Sequence, residues 1–411
     1  MIDDKDSMTA RMLSMALLLA APVYTQAQPT FYGDVLPILQ RSCQDCHRAG
    51  EAAPMSLMTY REARPWAKAI KSAVLTRTMP PWFADPHYGK FSGDPSLSAS
   101  EIGVLTAWAD GGAKAGNASD APPARRFPSE WKIGKPDAIF ELPQPVQVPA
   151  TGAVDYQYYV VPTGFTEDHW VEAIEVRPTD RSVVHHAIVY VQGDQGWSVS
   201  QYLGGYAPGA VPQIWKPGQA RLIKAGSSLL FQMHYTTNGK PATDRTRVGF
   251  VFAKRPPEQQ VIAMLSTNHW FQIPPENPDY VVDSVRVIPL DSYLVGMRAH
   301  MHVRGKSFEF RAVYPDGRTE ILLRVPNYDF NWQPYYYLEN PIKLPRGTRM
   351  ECTAHFDNSA DNPFNPNPQK TVGWGEQSWD EMMIGWLDVA FPVRRELTGM
   401  RIGPRPPALG Q

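Results

Sequence analysis

Five histidines and one cysteine–cysteine–histidine turn carry the chemistry that this sequence can perform. His185 and His186 are adjacent in "RSVVHHAIVYVQG", His234 stands in "LLFQMHYTT", and His300 and His302 form a His-x-His in "GMRAHMHVRG". The segments around them are rich in Val, Ile, Leu and aromatic residues, the composition of β-strands. Side chains i and i+2 of a strand face the same side, so His300 and His302 converge on one point. Two neutral imidazoles half-build a site for copper, zinc, iron or nickel, although a solvent-facing histidine pair has the same spacing. His185 and His186 pose the opposite problem, because neighbours on an ideal strand point to opposite faces. Both can reach one ion only where a bulge or strand end re-aims one of them. An irregular backbone is therefore predicted at this pair.

Near the N-terminus, "RSCQDCHRAG" contains Cys43-Gln-Asp-Cys46-His47, the C-x-x-C-H spacing of covalent c-type haem attachment. Two thiols one helical turn apart can each add to a vinyl group, and the adjacent histidine can reach the iron as an axial ligand. The alternative is a C-x-x-C disulfide or half a zinc site, but no second C-x-x-C exists to complete a zinc site. "TRTMPPW" offers Met79, held by Pro80 and Pro81, as the sixth iron ligand. A thioether there raises the potential and closes the iron to oxygen. His87 in "ADPHYG" is the rival ligand.

The elements that must position these residues divide the chain. "PTFYGDVLPILQ", "YREARPWAKAIKSAVL" and "SASEIGVLTAWADGG" read as helices, the last opened by a Ser98–Glu101 capping box and stopped at Gly111. Together they predict a small all-α, cytochrome c-like haem domain over residues 28–117. A polar, Pro-rich linker follows at 118–135. Beyond it the helical period fades into short Val-, Ile-, Tyr- and Phe-rich runs separated by turn residues, with "YPDGRT" a strong hairpin signal. So many short strands predict β-sandwiches, and the length suits two of them, jelly-roll-like, at 136–285 and 286–395, with a tail at 396–411.

Lys+Arg 40 against Asp+Glu 41 leaves a net charge of -1, and no basic excess points to nucleic acid. "MLSMALLLAAPV", preceded by Arg11 and followed by "TQA", has the layout of a secretory signal over residues 1–27. Its apolar run falls short of the ~20 residues of a membrane span. The acidic leader "MIDDKD" departs from the usual n-region and makes Met8 an alternative start. A periplasmic or secreted protein with no membrane span after signal removal is the expectation.

An adjacent His-His, a later "MHY", a His-x-His and then "DEMM" (Asp380 to Met383) occur in that order between Pro136 and Val393. This ordered set resembles the copper type II, ascorbate-dependent monooxygenases, the family of peptidylglycine α-hydroxylating and dopamine β-monooxygenases. The resemblance implies two β-sandwiches facing each other across a wet cleft, with one copper on each. An electron-transfer copper would take His185, His186 and His234. An oxygen-activating copper would take His300, His302 and Met382, with Met383 the runner-up for the thioether. Imidazoles tolerate both copper oxidation states and a thioether favours Cu(I). The implied activity is hydroxylation of an activated C–H bond of a small organic substrate with O2. Its electrons would come from ascorbate or a redox protein through the fused haem c. A haem/copper electron-transfer or copper-binding protein without hydroxylase activity is the alternative.

The chain also departs from the family. Met383 stands where the animal enzymes have a disulfide cysteine, which leaves Cys352 as a buried free thiol. His355 has no counterpart and is expected to hydrogen-bond beside Asp357. Arg298 matches a substrate-carboxylate arginine, with a structural ion pair as the alternative. The family's asparagine and tyrosine after the ligand methionine are replaced by Ile384 and Trp386.

Overall fold

Helices come first in the chain, and their boundaries follow local chemistry. In the computed structural model, which describes residues 28–51, 53–128, 130–192 and 201–393, α1 spans Leu36–Ser42, α2 Tyr60–Ala63, α3 Ala67–Leu75 and α4 Ala99–Asp110. Pro65 falls in the short 3-10 turn between α2 and α3, where its missing N–H costs nothing. The Ser98–Glu101 capping box opens α4, worth about 1 kcal/mol for such a cap. Phe31, Leu39, Leu105 and Trp108 are fully buried in a separate core under these helices. The predicted signal at 1–27 and the tail at 396–411 lie outside the described residues. No helix among the described residues is long and apolar enough to cross a membrane.

The remainder is β-structure. In chain order the strands are β1 (Ala138–Glu141), β2 (Val146–Val148), β3 (Gln157–Pro162), β4 (His169–Arg177), β5 (Val184–Gln192), β6 (Tyr202–Tyr206) and β7 (Gln213–Ile214). Then come β8 (Gln219–Ile223), β9 (Ser228–Tyr235), β10 (Ala242–Asp244), β11 (Arg247–Phe252), β12 (Gln259–Thr267), β13 (Gln272–Ile273) and β14 (Tyr280–Val287). The last are β15 (Ser292–His300), β16 (Gly305–Val313), β17 (Thr319–Val325), β18 (Tyr336–Leu344), β19 (Arg349–Phe356), β20 (Val372–Gly373) and β21 (Ile384–Pro392).

One long sheet, in the order β1-β11-β4-β8-β12-β21-β15-β18, runs through the whole β half. The sheet β3-β9-β5-β6 covers its first part and β14-β19-β16-β17 its second. Each pair of layers encloses its own core: Val171, Ile174, Phe231 and Phe250 in the first, Leu294, Phe308, Phe356 and Leu387 in the second. The β-sandwich expectation is therefore met, with the difference that the two sandwiches share a sheet through a parallel β8–β12 pairing. The predicted division at 285/286 cuts through β14, whose ladder is with β19. Together with β12, paired to β21, it belongs to the second sandwich. Strand pairing so distant in sequence leaves no local mark, which is why composition placed the boundary late.

The segment between α3 and α4 leaves the helices and packs on the second sandwich. Phe91 pairs with Leu338, Asp85 N–H donates to Arg324 O at 2.8 Å, and Trp82 lies 4.9 Å from the Tyr336 ring. On the other side, Glu51 pairs with both Arg48 and Arg181, and these three side chains are nearly buried. The helices are thus tied to both sandwiches.

Candidate metal centres

The irregularity expected at the histidine pair is present. Val184 pairs with Tyr235 and His186 with His234, so the β5–β9 register shifts at His185. Val184 and Ala187 both enter the core, and the extra residue turns both imidazoles outward. On β9, Phe231, Met233 and Tyr235 face the core, which leaves His234 on the same outer face. The ligand atoms of His185, His186 and His234 all lie within 4.8 Å of one another, with His185 Nδ1 and His186 Nδ1 3.2 Å apart. That spacing suits two nitrogens each bound about 2 Å from one ion. His234 Nδ1 is buried without a hydrogen-bond partner among the described residues, and Tyr156 stacks on its ring at 4.5 Å.

Burial and the neighbouring imidazoles hold these rings neutral. His186 lies well below the ordinary histidine value, His234 is pushed down to about 4, and burial also lowers His185. Neutral imidazole is the form that binds a metal. A half-buried triad with one orphaned nitrogen could hold a metal ion.

His300 and His302 lie at the end of β15, their rings 5.2 Å apart. Met297, Ala299 and Met301 enter the core of the second sandwich, so Arg298, His300 and His302 face the first one. His300 Nδ1 is 2.6 Å from Gln333 Oε1 and His302 Nδ1 is 3.2 Å from Asp380 O. Both oxygens accept, which places the ring protons on Nδ1 and frees each Nε2 for a metal. Burial pushes His300 down to about 3 and His302 to about 4. Glu381 accepts from the backbone N–H groups of His302 at 2.8 Å and Arg304 at 2.7 Å, pinning the loop after the pair. Burial drives its carboxyl up to about 8 against the pull of those N–H groups.

His300 lies opposite Ile384, and extending that antiparallel register brings Met382 level with His302. Met382 is half-buried beside Tyr202, Leu265 and Trp386, whereas Met383 is fully buried in the core of the second sandwich. Of the two thioethers, Met382 is on the side of the histidines.

Arg298 lies 5.0, 5.6 and 4.9 Å from the rings of Tyr202, Tyr335 and Trp386. Among the described residues no carboxylate is within ion-pair distance of it, so the structural ion pair weighed from sequence is not formed. His355 bonds Asp279 at 3.0 Å rather than Asp357, which instead accepts from Ser359. The β14–β19 ladder brings Asp279 there, and sequence adjacency misassigned the partner. Cys352 is a buried free thiol, as expected, raised by burial to about 12.

At the helical end, Cys43 and Cys46 are free and half-buried, and burial pushes Cys43 up to about 12. His47 Nδ1 lies 3.3 Å from Met55 O, which leaves Nε2 for an iron. Two unpaired thiols and an anchored imidazole fit a covalent haem. Met79 closes the turn after α3 through its N–H on Ala73 O and lies outside the helical core that Cys43 packs against. His87 is highly exposed and paired with Asp85 on the sandwich surface, a poor position for an iron ligand.

Sequence reasoning missed the turn between β17 and β18. Tyr328, Phe330 and Gln333 of "NYDFNWQP" reach both histidine sites. Three aromatic residues in so short a connection were the available signal.

The sequence matches no protein-family model and has no significant match among curated proteins. Among solved structures, the STIV MCP aligns at TM-score 0.28 and 8% identity over 64% of this chain and 99% of that one. PBCV-1 VP54, fitted into the virophage Sputnik, aligns at TM-score 0.24 and 7% identity over 64% and 96%. The Gx strain of infectious bursal disease virus aligns at TM-score 0.18 and 8% identity over 64% and 76%. None of these superpositions is close enough to assign this chain a role.

Proposed function

We propose that the protein is a copper-dependent monooxygenase of the periplasm or extracellular space, fed electrons through a fused c-type haem. The observation that carries this reading is the pair of histidine clusters, His185/His186/His234 and His300/His302, on facing surfaces of two sandwiches. His185, His186 and His234 would hold an electron-transfer copper, and His300, His302 and Met382 an oxygen-activating copper. Cys43, Cys46 and His47 would hold haem c, with Met79 favoured over His87 as the sixth ligand. When bound, the metals supply one-electron transfer and O2 activation.

The chain's own residues supply the rest. Gln333 and the Asp380 carbonyl keep Nδ1–H on His300 and His302, so Nε2 stays available at neutral pH. Tyr202, Leu265, Ile384 and Trp386 surround the face around Met382 and exclude water from it. Arg298, caged by three rings and without a carboxylate, is placed to orient an anionic small-molecule substrate beside His300. The Arg48–Glu51–Arg181 network holds the C-x-x-C-H turn against the strand leading to His185, a short path for electrons.

One observation favours the electron-transfer alternative: Phe330 meets His185 and His302, so an aromatic ring occupies part of the space where the resemblance implies a wet cleft. Incubation of the reduced protein with small C–H substrates under 18O2 decides between the two. Labelled hydroxylated product that disappears in His300→Ala supports the oxygenase. Redox cycling of haem and copper without labelled product supports the alternative.

A further inference from the structure

The residues joining β17 to β18 touch both histidine sites at once. Tyr328 Oη donates to Met301 O at 2.7 Å and accepts from Met301 N–H at 3.0 Å, pinning the turn to the residue between His300 and His302. Asp329 and Trp332 close it through a backbone bridge, with Trp332 N–H on Asp329 O at 3.0 Å. Gln333 Nε2 donates to Phe330 O at 2.9 Å. That bond fixes the amide orientation, so Oε1 faces His300 and can only accept from its Nδ1–H. The Phe330 ring lies 5.9 Å from His185 of the other site and 5.9 Å from His302. The two imidazoles can therefore be no farther apart than those two ring spacings together.

We propose that residues 328–333 act as a shared clamp: Gln333 orients His300 for its metal, and Phe330 sets the spacing between the sites. The clamp rests on the reading that both sites hold copper. An imidazole has two neutral tautomers, and a metal takes only the one whose lone pair faces it. A partner on the other nitrogen therefore raises affinity, and its loss typically costs about tenfold to a hundredfold. Because Gln333 and Phe330 belong to one short turn, the sites are set relative to each other, although their ligands come from different sandwiches.

Copper titration of the full-length apo protein, followed by EPR of the fully loaded copper(II) form, tests this. Gln333→Ala is expected to weaken copper at the His300/His302 site about tenfold or more and spare the His185/His186/His234 site. Gln333→Glu, which keeps an acceptor, should restore affinity. Phe330→Ala should leave both copper ions bound while changing the dipolar broadening between them. Far-UV circular dichroism and the spared site in each variant report that the fold is intact. If the wild type binds two copper ions but Gln333→Ala leaves both affinities unchanged or lowers both equally, the clamp is overturned alone. An unchanged dipolar broadening in Phe330→Ala likewise overturns the spacing role. A wild-type chain that takes up no copper overturns the copper reading and the clamp with it.

Discussion

Replacing Asp388 with Asn removes one charge from a buried ion pair that links the two sandwiches. Arg221 of β8 donates from Nη2 to Asp388 Oδ1 of β21 at 2.6 Å, and the side chains are 6% and 0% exposed. Two unit charges about 4 Å apart attract by roughly 4 kcal/mol at an effective dielectric near 20. Removing one member of such a pair typically costs about 3–5 kcal/mol, because the other charge stays buried and unpaired. Arg221 keeps some support in the variant: Nη1 still donates to the Tyr202 carbonyl, and the guanidinium remains 5.1 Å from the Trp215 ring. The loss is therefore placed near the lower end, about 3 kcal/mol. Removing both charges with Arg221→Met and Asp388→Leu leaves no orphaned charge and is expected to fall within about 1 kcal/mol of wild type. Urea unfolding of the apo protein, followed by tryptophan fluorescence and far-UV circular dichroism, measures both. The reasoning is refuted if Asp388→Asn costs less than about 1 kcal/mol, or if the double variant is as unstable as the single one.

His300→Ala should lower bound copper by one ion per chain while leaving the His185/His186/His234 site loaded, as read by elemental analysis and EPR. His300 and His302, lowered to about 3 and about 4, bind fewer protons when folded than when unfolded below the ordinary value near 6.5. Their stabilisation is thus complete above pH 6.5 and lost as pH falls, by roughly 2 kcal/mol each at pH 5. Melting of the apo protein at pH 7 and pH 5 should show this, and bound copper should offset it by holding the neutral rings. Cys46→Ser should leave the haem with one thioether link, visible as a shifted pyridine haemochrome band, and Cys43→Ser/Cys46→Ser should release it on a denaturing gel. Cys352, 1% exposed, should resist iodoacetamide in the native protein and react only after unfolding.

The elements and the candidate ligands were legible in the sequence because local rules write them. Alternating Val, Ile and aromatic residues marked β5, β9, β16, β17 and β19, and the Ser98–Glu101 box marked the start of α4. The need to aim two neighbouring imidazoles the same way implied a break at His185, and the ladder has one there. Burial differs between the residues that the sequence offered as alternatives: Met382 is half-buried against the cluster that holds Trp386 while Met383 is core, and His87 is tied to Asp85 on the surface.

Other features had no local signature. The sharing of one sheet through β8 and β12, the assignment of β14 to the second sandwich, and the Asp279 partner of His355 all depend on distant strands meeting. The same holds for the turn at 328–333, whose Phe330 and Gln333 reach histidines far away in the chain. Periodicity reports which face of a strand a residue occupies; what lies across from that face depends on how the sheets stack. The candidate histidine pairs therefore came from residue type and spacing, and the full candidate ligand sets from the family resemblance. The approach of the two sites, and the ring lying against both, came from the packing of one sandwich on the other.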